Sequence, residues 1–346
     1  MFADYLLLLF ATEPRRAKAI YNVCRGRRTV STLFAGLTYQ QLAWLDSWHG
    51  VPLAKFEAAA QTLIAAGWLQ APTDGYLALT AAGQAQQAEL QQRLYQPVAW
   101  QQFRQADVRR FTALSQLALQ VVSEYSHQTK RYYPVTTDPG VQATVKRWFR
   151  QWRKPMIVTQ VVTELHAFLA TLAPTQATIF MNSVTGYDFP GQTDQQLATA
   201  FKRTPVEILV MRKDLSCQLV AWLRQQPTGP LAALVKPLVK ANPVSTSAWQ
   251  TYQAFQQTAD LSQIATQRRL KLSTVREHLL ETAILTPGFP FETILTPELL
   301  APLTAVFGES ASVATWRFEQ VQSVAPTLDF FCFRLYQIMR CQRATA

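Results

Sequence analysis

The chain has little glycine and few acidic side chains. It contains 12 glycines in 346 residues, and 22 Asp and Glu stand against 33 Lys and Arg. The resulting net charge of +11 favours an acidic partner such as nucleic acid or an anionic membrane, although a basic surface can also serve solubility alone. The four histidines are His49, His127, His166 and His278. Their spacing suits no metal ligand set, so neither a metal nor another cofactor is expected.

The sequence motifs of catalysis are also missing. We find no G-x-x-x-x-G-K-[ST] phosphate loop, no G-x-S-x-G nucleophile turn and no H-E-x-x-H pair. The sparse carboxylates do not form the paired clusters that a two-metal nuclease needs. We therefore expect a protein that is not an enzyme and has no small-molecule substrate.

The cysteines and the apolar runs indicate the cellular compartment of the protein. No C-x-x-C pair is present among Cys24, Cys217, Cys332 and Cys341. This pattern predicts reduced, mostly buried thiols in a cytoplasmic protein, with nucleoid association as an option. The apolar run Tyr5–Phe10 has no basic residues in front of it and is too short to span a membrane. We expect a buried first helix and no membrane partner.

The arrangement of apolar residues predicts a mainly α-helical fold, because they recur at three- and four-residue spacing along most of the chain. Prolines mark the joints: four lie in Gln225–Ser247, and Pro97 follows a Gln- and Ala-rich helix that starts near Ala81. We predict four segments: a winged-helix-like N-terminal domain 1–97, a central helical domain 98–224, a Pro-rich linker 225–247 and a C-terminal helix-turn-helix domain 248–346.

The winged-helix prediction depends on the stretch Phe56–Gln84. Its first part has apolar residues at helical spacing, and Gly67 is placed to end that helix in the left-handed conformation. The sequence PTDG at Pro72–Gly75 predicts a turn between two short strands. A helix, a β-hairpin and a second helix form the tail of a winged helix, and such a unit can contact either DNA or protein.

Two stretches combine arginine with aromatic residues. In Glu13–Thr32, we take Arg25, Arg27 and Arg28 as candidate DNA contacts, since guanidinium groups suit backbone phosphates. The alternative is a solvated turn whose arginines cap a helix that ends at Gly26.

In Val145–Pro155, the apolar residues fall on one helical face, which predicts core packing. The basic face of that helix stays available to an acidic partner, and the interleaved aromatic residues also suit stacking on unpaired bases.

The most specific pattern is DLSQIATQRRLKLSTVREHLLE, residues Asp260–Glu281. It predicts two short helices. Asp260 or Ser262 caps the first helix, and Ser273 or Thr274 caps the second. The inward residues are predicted to be Ile264, Ala265, Val275 and Leu279, with Leu270 filling the turn. The outward residues are predicted to be Ser273, Arg276, Glu277 and Leu280.

The outward face of the second helix is the part that a helix-turn-helix inserts into the major groove. Arg276 could reach guanine, whereas Glu277 opposes phosphates unless it accepts from a cytosine amino group. His278 is expected to be a half-buried packing residue that a backbone group satisfies. The predicted DNA contacts of this module are Arg268, Arg269, Lys271, Ser273, Thr274, Arg276 and Glu277.

These residues resemble a known module. The pattern Ile264-Ala265, Arg268, Leu270, Thr274-Val275 and His278-Leu279 is similar to the C-terminal helix-turn-helix module of some RecQ-type helicases and, more distantly, to the DNA-binding module of response regulators. The resemblance runs from Trp249 to the end. The blocks GRRTVST, VQATVKRWFR and GQTDQQLA further resemble a small bacterial family whose genes sit beside a RecQ-type helicase gene. Arg269 departs from the pattern, because that turn position is often glycine, so either the turn avoids a positive φ or it is mildly strained.

The resemblance implies a non-enzymatic DNA-binding protein that assists a RecQ-type helicase in recombination, repair or replication. Its expected partners are DNA and such a helicase. A regulator of transcription that reads one sequence is the first alternative, and it predicts a large ratio of specific to non-specific affinity. A helical scaffold that binds only proteins is the second.

Overall fold

Helices dominate the computed structural model, which describes residues 2–153, 156–226, 228–308 and 313–343. In chain order the α-helices are α1 Phe2–Leu7, α2 Ala17–Arg25, α3 Val30–Thr38, α4 Leu53–Ala65, α5 Ala81–Arg93, α6 Gln102–Gln105, α7 Val108–Ser126, α8 Pro139–Trp152, α9 Ile157–Leu169, α10 Pro174–Asn182, α11 Asp194–Phe201, α12 Pro205–Leu223, α13 Pro230–Val235, α14 Thr246–Gln257, α15 Leu261–Gln267, α16 Leu272–Leu285, α17 Pro297–Phe307, α18 Phe318–Gln322 and α19 Phe330–Arg343. The strands are β1 Arg15–Arg16, β2 Leu69–Thr73 and β3 Tyr76–Leu79. The predicted mainly α fold is confirmed.

The chain forms two compact units that are not continuous in sequence. Unit 1 comprises Met1–Pro14 and Pro52–Ala241, and unit 2 comprises Arg15–Val51 and Asn242–Ala346. The predicted four segments follow different lines, because residues 15–51 share a core with the C-terminal helices. Buried Val23 belongs to the same apolar cluster as the helix-turn-helix.

The predicted helix, hairpin and helix are present at the start of unit 1. Gly67 follows α4 with a φ of +73°, the left-handed conformation expected there. Strands β2 and β3 pair antiparallel, with Leu69 opposite Leu79, and Gly75 takes a φ of +73° in the turn. The run Tyr5–Phe10 is buried apart from half-buried Leu8, so the expectation of a buried first helix is confirmed.

The Pro-rich segment is partly helical. Pro230 occupies the first turn of α13, where its missing N–H costs nothing, and Leu231, Leu234 and Val235 are buried. This short helix belongs to unit 1, because its apolar side chains enter a core there, whereas the segment was predicted to be a linker between domains. Pro227, also predicted to break the helix, lies outside the described residues.

A buried carboxylate organises the middle of unit 1. Asp214 on α12 is fully buried and accepts hydrogen bonds from the Tyr95 hydroxyl at 2.6 Å and from the backbone N–H groups of Val98 and Ala99 at 3.1 and 2.8 Å. Gln218 donates a fourth bond at 2.8 Å. Because a buried charge requires such partners, Asp214 joins the segment after α5 to α12.

The core of unit 2 is rich in aromatic side chains. Tyr252, Phe255 and Phe289 stack with ring centroids 5.6 to 6.5 Å apart, and Phe307 lies 4.5 Å from Trp316. These rings hold α14 and the segments that follow α16 together.

Two of the four free cysteines, Cys24 and Cys217, are buried, as expected, and the other two are half-buried. Within the described ranges, no helix is long and apolar enough to cross a membrane.

Candidate nucleic-acid interface

The helix-turn-helix in unit 2 consists of α15 and α16. The Asp260 carboxylate caps α15 by accepting from the backbone N–H groups of Ser262 and Gln263 at 2.8 and 3.1 Å. One of the two predicted caps is therefore confirmed. The inward residues are also as predicted, since Ile264, Val275 and Leu279 are fully buried and Ala265 is nearly so.

The turn between the helices requires a left-handed residue, and Arg269 supplies it with a φ of +52°. The turn closes through the N–H of Leu270, which donates to the Ala265 carbonyl at 2.9 Å. Leu270 is half-buried against the core, as predicted. An L-residue with a side chain is strained in this conformation, which explains the common glycine at the corresponding position of the module that the sequence resembles.

This strain predicts that glycine at position 269 gives a more stable protein than alanine, the reverse of their order inside a helix. Arg269→Gly and Arg269→Ala both remove the exposed guanidinium, but only glycine adopts the left-handed conformation without steric cost. We expect the glycine variant to have a free energy of unfolding about 1 kcal/mol higher than the alanine variant. Urea unfolding of both proteins tests this. An alanine variant that is the more stable of the two would mean that the turn is not held at positive φ in solution.

The second helix begins earlier than predicted. Lys271 is the N-cap of α16, and its carbonyl accepts from the N–H groups of Thr274 and Val275 at 2.9 and 3.1 Å. The prediction that Ser273 or Thr274 caps this helix was wrong, because backbone bonding already includes both residues in the first turn. The exposed Lys271 and Ser273 and the half-buried Thr274 remain beside the free N–H groups of the helix start.

The outward face of α16 is the floor of a groove. Ser273 and Glu277 are exposed and Arg276 is half-buried, but Leu280 is only 6% exposed, so its predicted outward position was wrong. The reason is that α3 and α19 both pack against α16 and cover this side. The groove has a volume of about 730 Å³ and is lined by α16 together with Arg28, Thr29, Val30, Ser31, Phe330 and Arg334, among others.

Two of the predicted DNA-binding arginines have partners within unit 2. Arg276 forms an ion pair with Asp329 at 2.7 Å, and its guanidinium carbon lies 5.5 Å from the centre of the Phe331 ring. Arg268 donates to the Ser247 carbonyl at 2.7 Å and to Gln250 at 2.9 Å, and it also bonds the Thr251 hydroxyl. Arg268 therefore links the end of α15 to α14, and Arg276 links α16 to the start of α19.

The three N-terminal arginines differ in exposure and in their partners. Arg28 forms an ion pair at 3.0 Å with Glu281 of α16 and donates to the Pro243 carbonyl. Glu281 is 7% exposed and accepts two further bonds from Ser245, at 2.8 Å from the backbone N–H and 2.9 Å from the hydroxyl. Arg28 thus ties residues 15–51 to the helix-turn-helix within one unit.

Arg25 and Arg27 are exposed on either side of Gly26, which ends α2 with a φ of +84°. This left-handed ending agrees with the alternative of a capped helix end, and it does not exclude phosphate contact. Arg25 donates to the Tyr21 hydroxyl at 3.3 Å. The seven basic residues among the predicted DNA contacts therefore fall into two groups in unit 2. The exposed basic group is Arg25, Arg27, Arg269 and Lys271, and the paired group is Arg28, Arg268 and Arg276.

His278 is half-buried, as expected, but its partner is a side chain. Its Nδ1 lies 2.7 Å from the Thr251 hydroxyl, so the expected backbone partner was wrong. Burial lowers the pKa of His278 from its usual value, and the charge of Arg268 lowers the pKa further, against the opposite influence of Glu281 and Glu277. No group of three or more His, Cys, Asp or Glu side chains in the described part of the chain could hold a metal ion.

The lowered pKa predicts a loss of stability in weak acid. The unfolded chain takes up a proton at His278 near pH 6.5, before the folded chain does, so the free energy of unfolding falls as pH drops below that value. We expect His278→Asn to reduce this pH dependence between about pH 7.5 and about pH 5.5. The exposed His166→Asn serves as the control in urea unfolding at each pH. Equal slopes for the wild type and His278→Asn would show that His278 is not responsible.

Comparison with known proteins supports the assignment of the module. Residues 247–337 match the model of a family described as a helix-turn-helix domain. Over 183 residues the chain is 25% identical to Protein YpbB of Bacillus subtilis (strain 168), a similarity that covers 53% of this chain and 52% of that protein. The chain thus spans about half the length of this curated relative. No solved structure matches significantly. The two similarities support the predicted resemblance to a bacterial helix-turn-helix protein family.

Proposed function

We propose that this chain is a non-enzymatic DNA-binding protein that assists a RecQ-type helicase in recombination, repair or replication. The observation that carries DNA binding is the helix-turn-helix of unit 2, with exposed cations at its turn. Arg269 and Lys271 lie at the turn and the start of α16, where free N–H groups and the helix dipole also favour phosphate.

The geometry favours backbone contacts over base reading. The guanidinium of Arg276, the candidate for guanine, is bound by Asp329 on one side and lies near Phe331 on the other. The outward face of α16 is flanked by α3 and α19, whereas a recognition helix must project to enter a major groove about 12 Å wide. We infer that the module grips phosphates and has little sequence preference, which disfavours the alternative of a transcription regulator.

The role as a partner of a RecQ-type helicase is the more specific part of the proposal. It is supported by the resemblance of three short blocks and of the C-terminal module to proteins associated with RecQ-type helicases. Lys and Arg outnumber Asp and Glu by 33 to 22, so the exposed basic residues could also bind an acidic protein surface. If these basic residues bind only proteins, the chain is a protein scaffold that binds no DNA, which is the remaining alternative.

The test is an unwinding assay with forked DNA and a RecQ-type helicase from the same genome. We expect the chain to raise the unwinding rate, and we expect a variant with Arg27, Arg269 and Lys271 changed to Gln to lose this effect. If the unwinding rate stays unchanged at a saturating concentration of this protein, and the protein still binds DNA, the helicase role is wrong and DNA binding stands. Stimulation that survives in the variant would point to contact between the proteins alone.

A further inference from the structure

One face of helix α8 in unit 1 packs into the core. Val141, Val145 and Trp148 are at most 5% exposed, and the Trp148 indole donates to the Pro230 carbonyl at 2.6 Å. Phe149 is half-buried, and its ring meets that of Tyr125 at a centroid distance of 5.2 Å. The prediction that the apolar residues of this stretch form core is thus confirmed.

The opposite face of α8 is basic and exposed. Lys146, Arg147 and Arg150 lie on the helix and Arg153 is its C-cap, and all four are exposed. The helix itself contains no carboxylate. Across the residues that the structure describes, none of the four side chains forms an ion pair. The charge of this face is therefore uncompensated.

The cations are arranged as a row. Lys146, Arg150 and Arg153 are separated by four and three residues, so they lie within about 60° of one another around the helix and span about 10 Å along it. Such a row presents positive charge at intervals comparable to the spacing of phosphates along a nucleic acid strand.

We propose that this row, which we call the α8 basic row (Lys146, Arg150 and Arg153), binds the phosphate backbone of duplex DNA. The chemistry is charge complementarity between guanidinium or ammonium groups and phosphate oxygens. The site belongs to unit 1 and involves none of the residues of the helix-turn-helix. It therefore adds a second DNA contact to the proposed function and stands on separate observations.

The structure favours duplex DNA over two other polyanions. Single-strand binding requires exposed rings on which bases stack, but Trp148 is buried and Phe149 and Trp152 are half-buried. A helix that binds an anionic membrane inserts its apolar face into the lipid, and that face of α8 is already packed in unit 1. Contact with a duplex backbone needs neither stacking nor insertion.

The experiment compares two full-length variants with equal net charge. Lys146→Gln, Arg150→Gln and Arg153→Gln are combined in one, and Arg93→Gln, Lys202→Gln and Arg343→Gln are combined in the other as the matched control at exposed positions. Fluorescence anisotropy follows binding to a labelled duplex of mixed sequence at several salt concentrations. We expect the first variant to bind more weakly and to lose about three units of the logarithmic salt slope, while the control keeps the wild-type slope. Circular dichroism and the thermal midpoint check that both variants fold.

Each outcome bears on a different part of the account. If both variants behave alike while the wild type binds the duplex, the α8 basic row is not a DNA contact and the proposed function stands. If the wild type does not bind the duplex, both proposals are overturned. If the α8 variant loses binding only to vesicles of phosphatidylglycerol and phosphatidylcholine, the row faces a membrane and the inference is wrong.

Discussion

Changing Arg27, Arg269 and Lys271 to glutamine together is expected to weaken duplex DNA binding by more than about tenfold and to flatten the logarithmic salt slope by about three units. These three side chains are exposed in unit 2. Each phosphate contact releases condensed counterions from DNA, so removing three contacts lowers both affinity and its dependence on salt. Fluorescence anisotropy at several salt concentrations measures both quantities.

The control for this prediction is the variant with Arg93, Lys202 and Arg343 changed to glutamine, which removes the same charge elsewhere. A loss of affinity common to both variants would mean that net charge alone, and not the helix-turn-helix surface, holds the DNA. A retained slope in the first variant would show that these three side chains do not contact phosphates.

Among the residues of the candidate interface, the largest effect on stability is expected at Glu281. Replacing it with alanine leaves Arg28 and the N–H and hydroxyl of Ser245 without their acceptor, and it removes the link between residues 15–51 and α16. Loss of one partner of a buried ion pair typically costs about 3 to 5 kcal/mol. Because the Arg28 side chain is 30% exposed and can turn to water, we expect the lower end, about 3 kcal/mol.

Urea unfolding of Glu281→Ala measures this loss. Glu277→Ala is the matched control, since Glu277 is exposed on the same helix, and it should change the free energy of unfolding by less than about 0.5 kcal/mol. If Glu281→Ala were as stable as the control, the ion pair would not hold residues 15–51 in unit 2.

Local features of the site were predictable from the sequence. The cap at Asp260 and the inward Ile264 and Val275 follow from residues less than one helix apart. Helical spacing and capping chemistry act over such short distances, so a single sequence is enough to reveal them.

Features that depend on distant parts of the chain were not predictable. Leu280 was placed outward because nothing in its own helix indicates that α3 and α19 cover it. Arg276 pairs with Asp329, and Arg28 pairs with Glu281 from the other end of the chain. The buried Asp214 binds Tyr95, which is 119 residues away. Charge and periodicity in the sequence do not identify such partners, because only the packing within each unit brings them together.

The central claim is that this chain binds DNA through phosphates. The most direct measurement is an anisotropy titration of the full chain against labelled duplex, forked and single-stranded DNA of several sequences, each at several salt concentrations. We predict affinity that rises steeply as salt falls, a preference for duplex or fork over single strand, and little difference between sequences. Absence of binding at low salt would contradict the account and assign the helix-turn-helix to protein contacts.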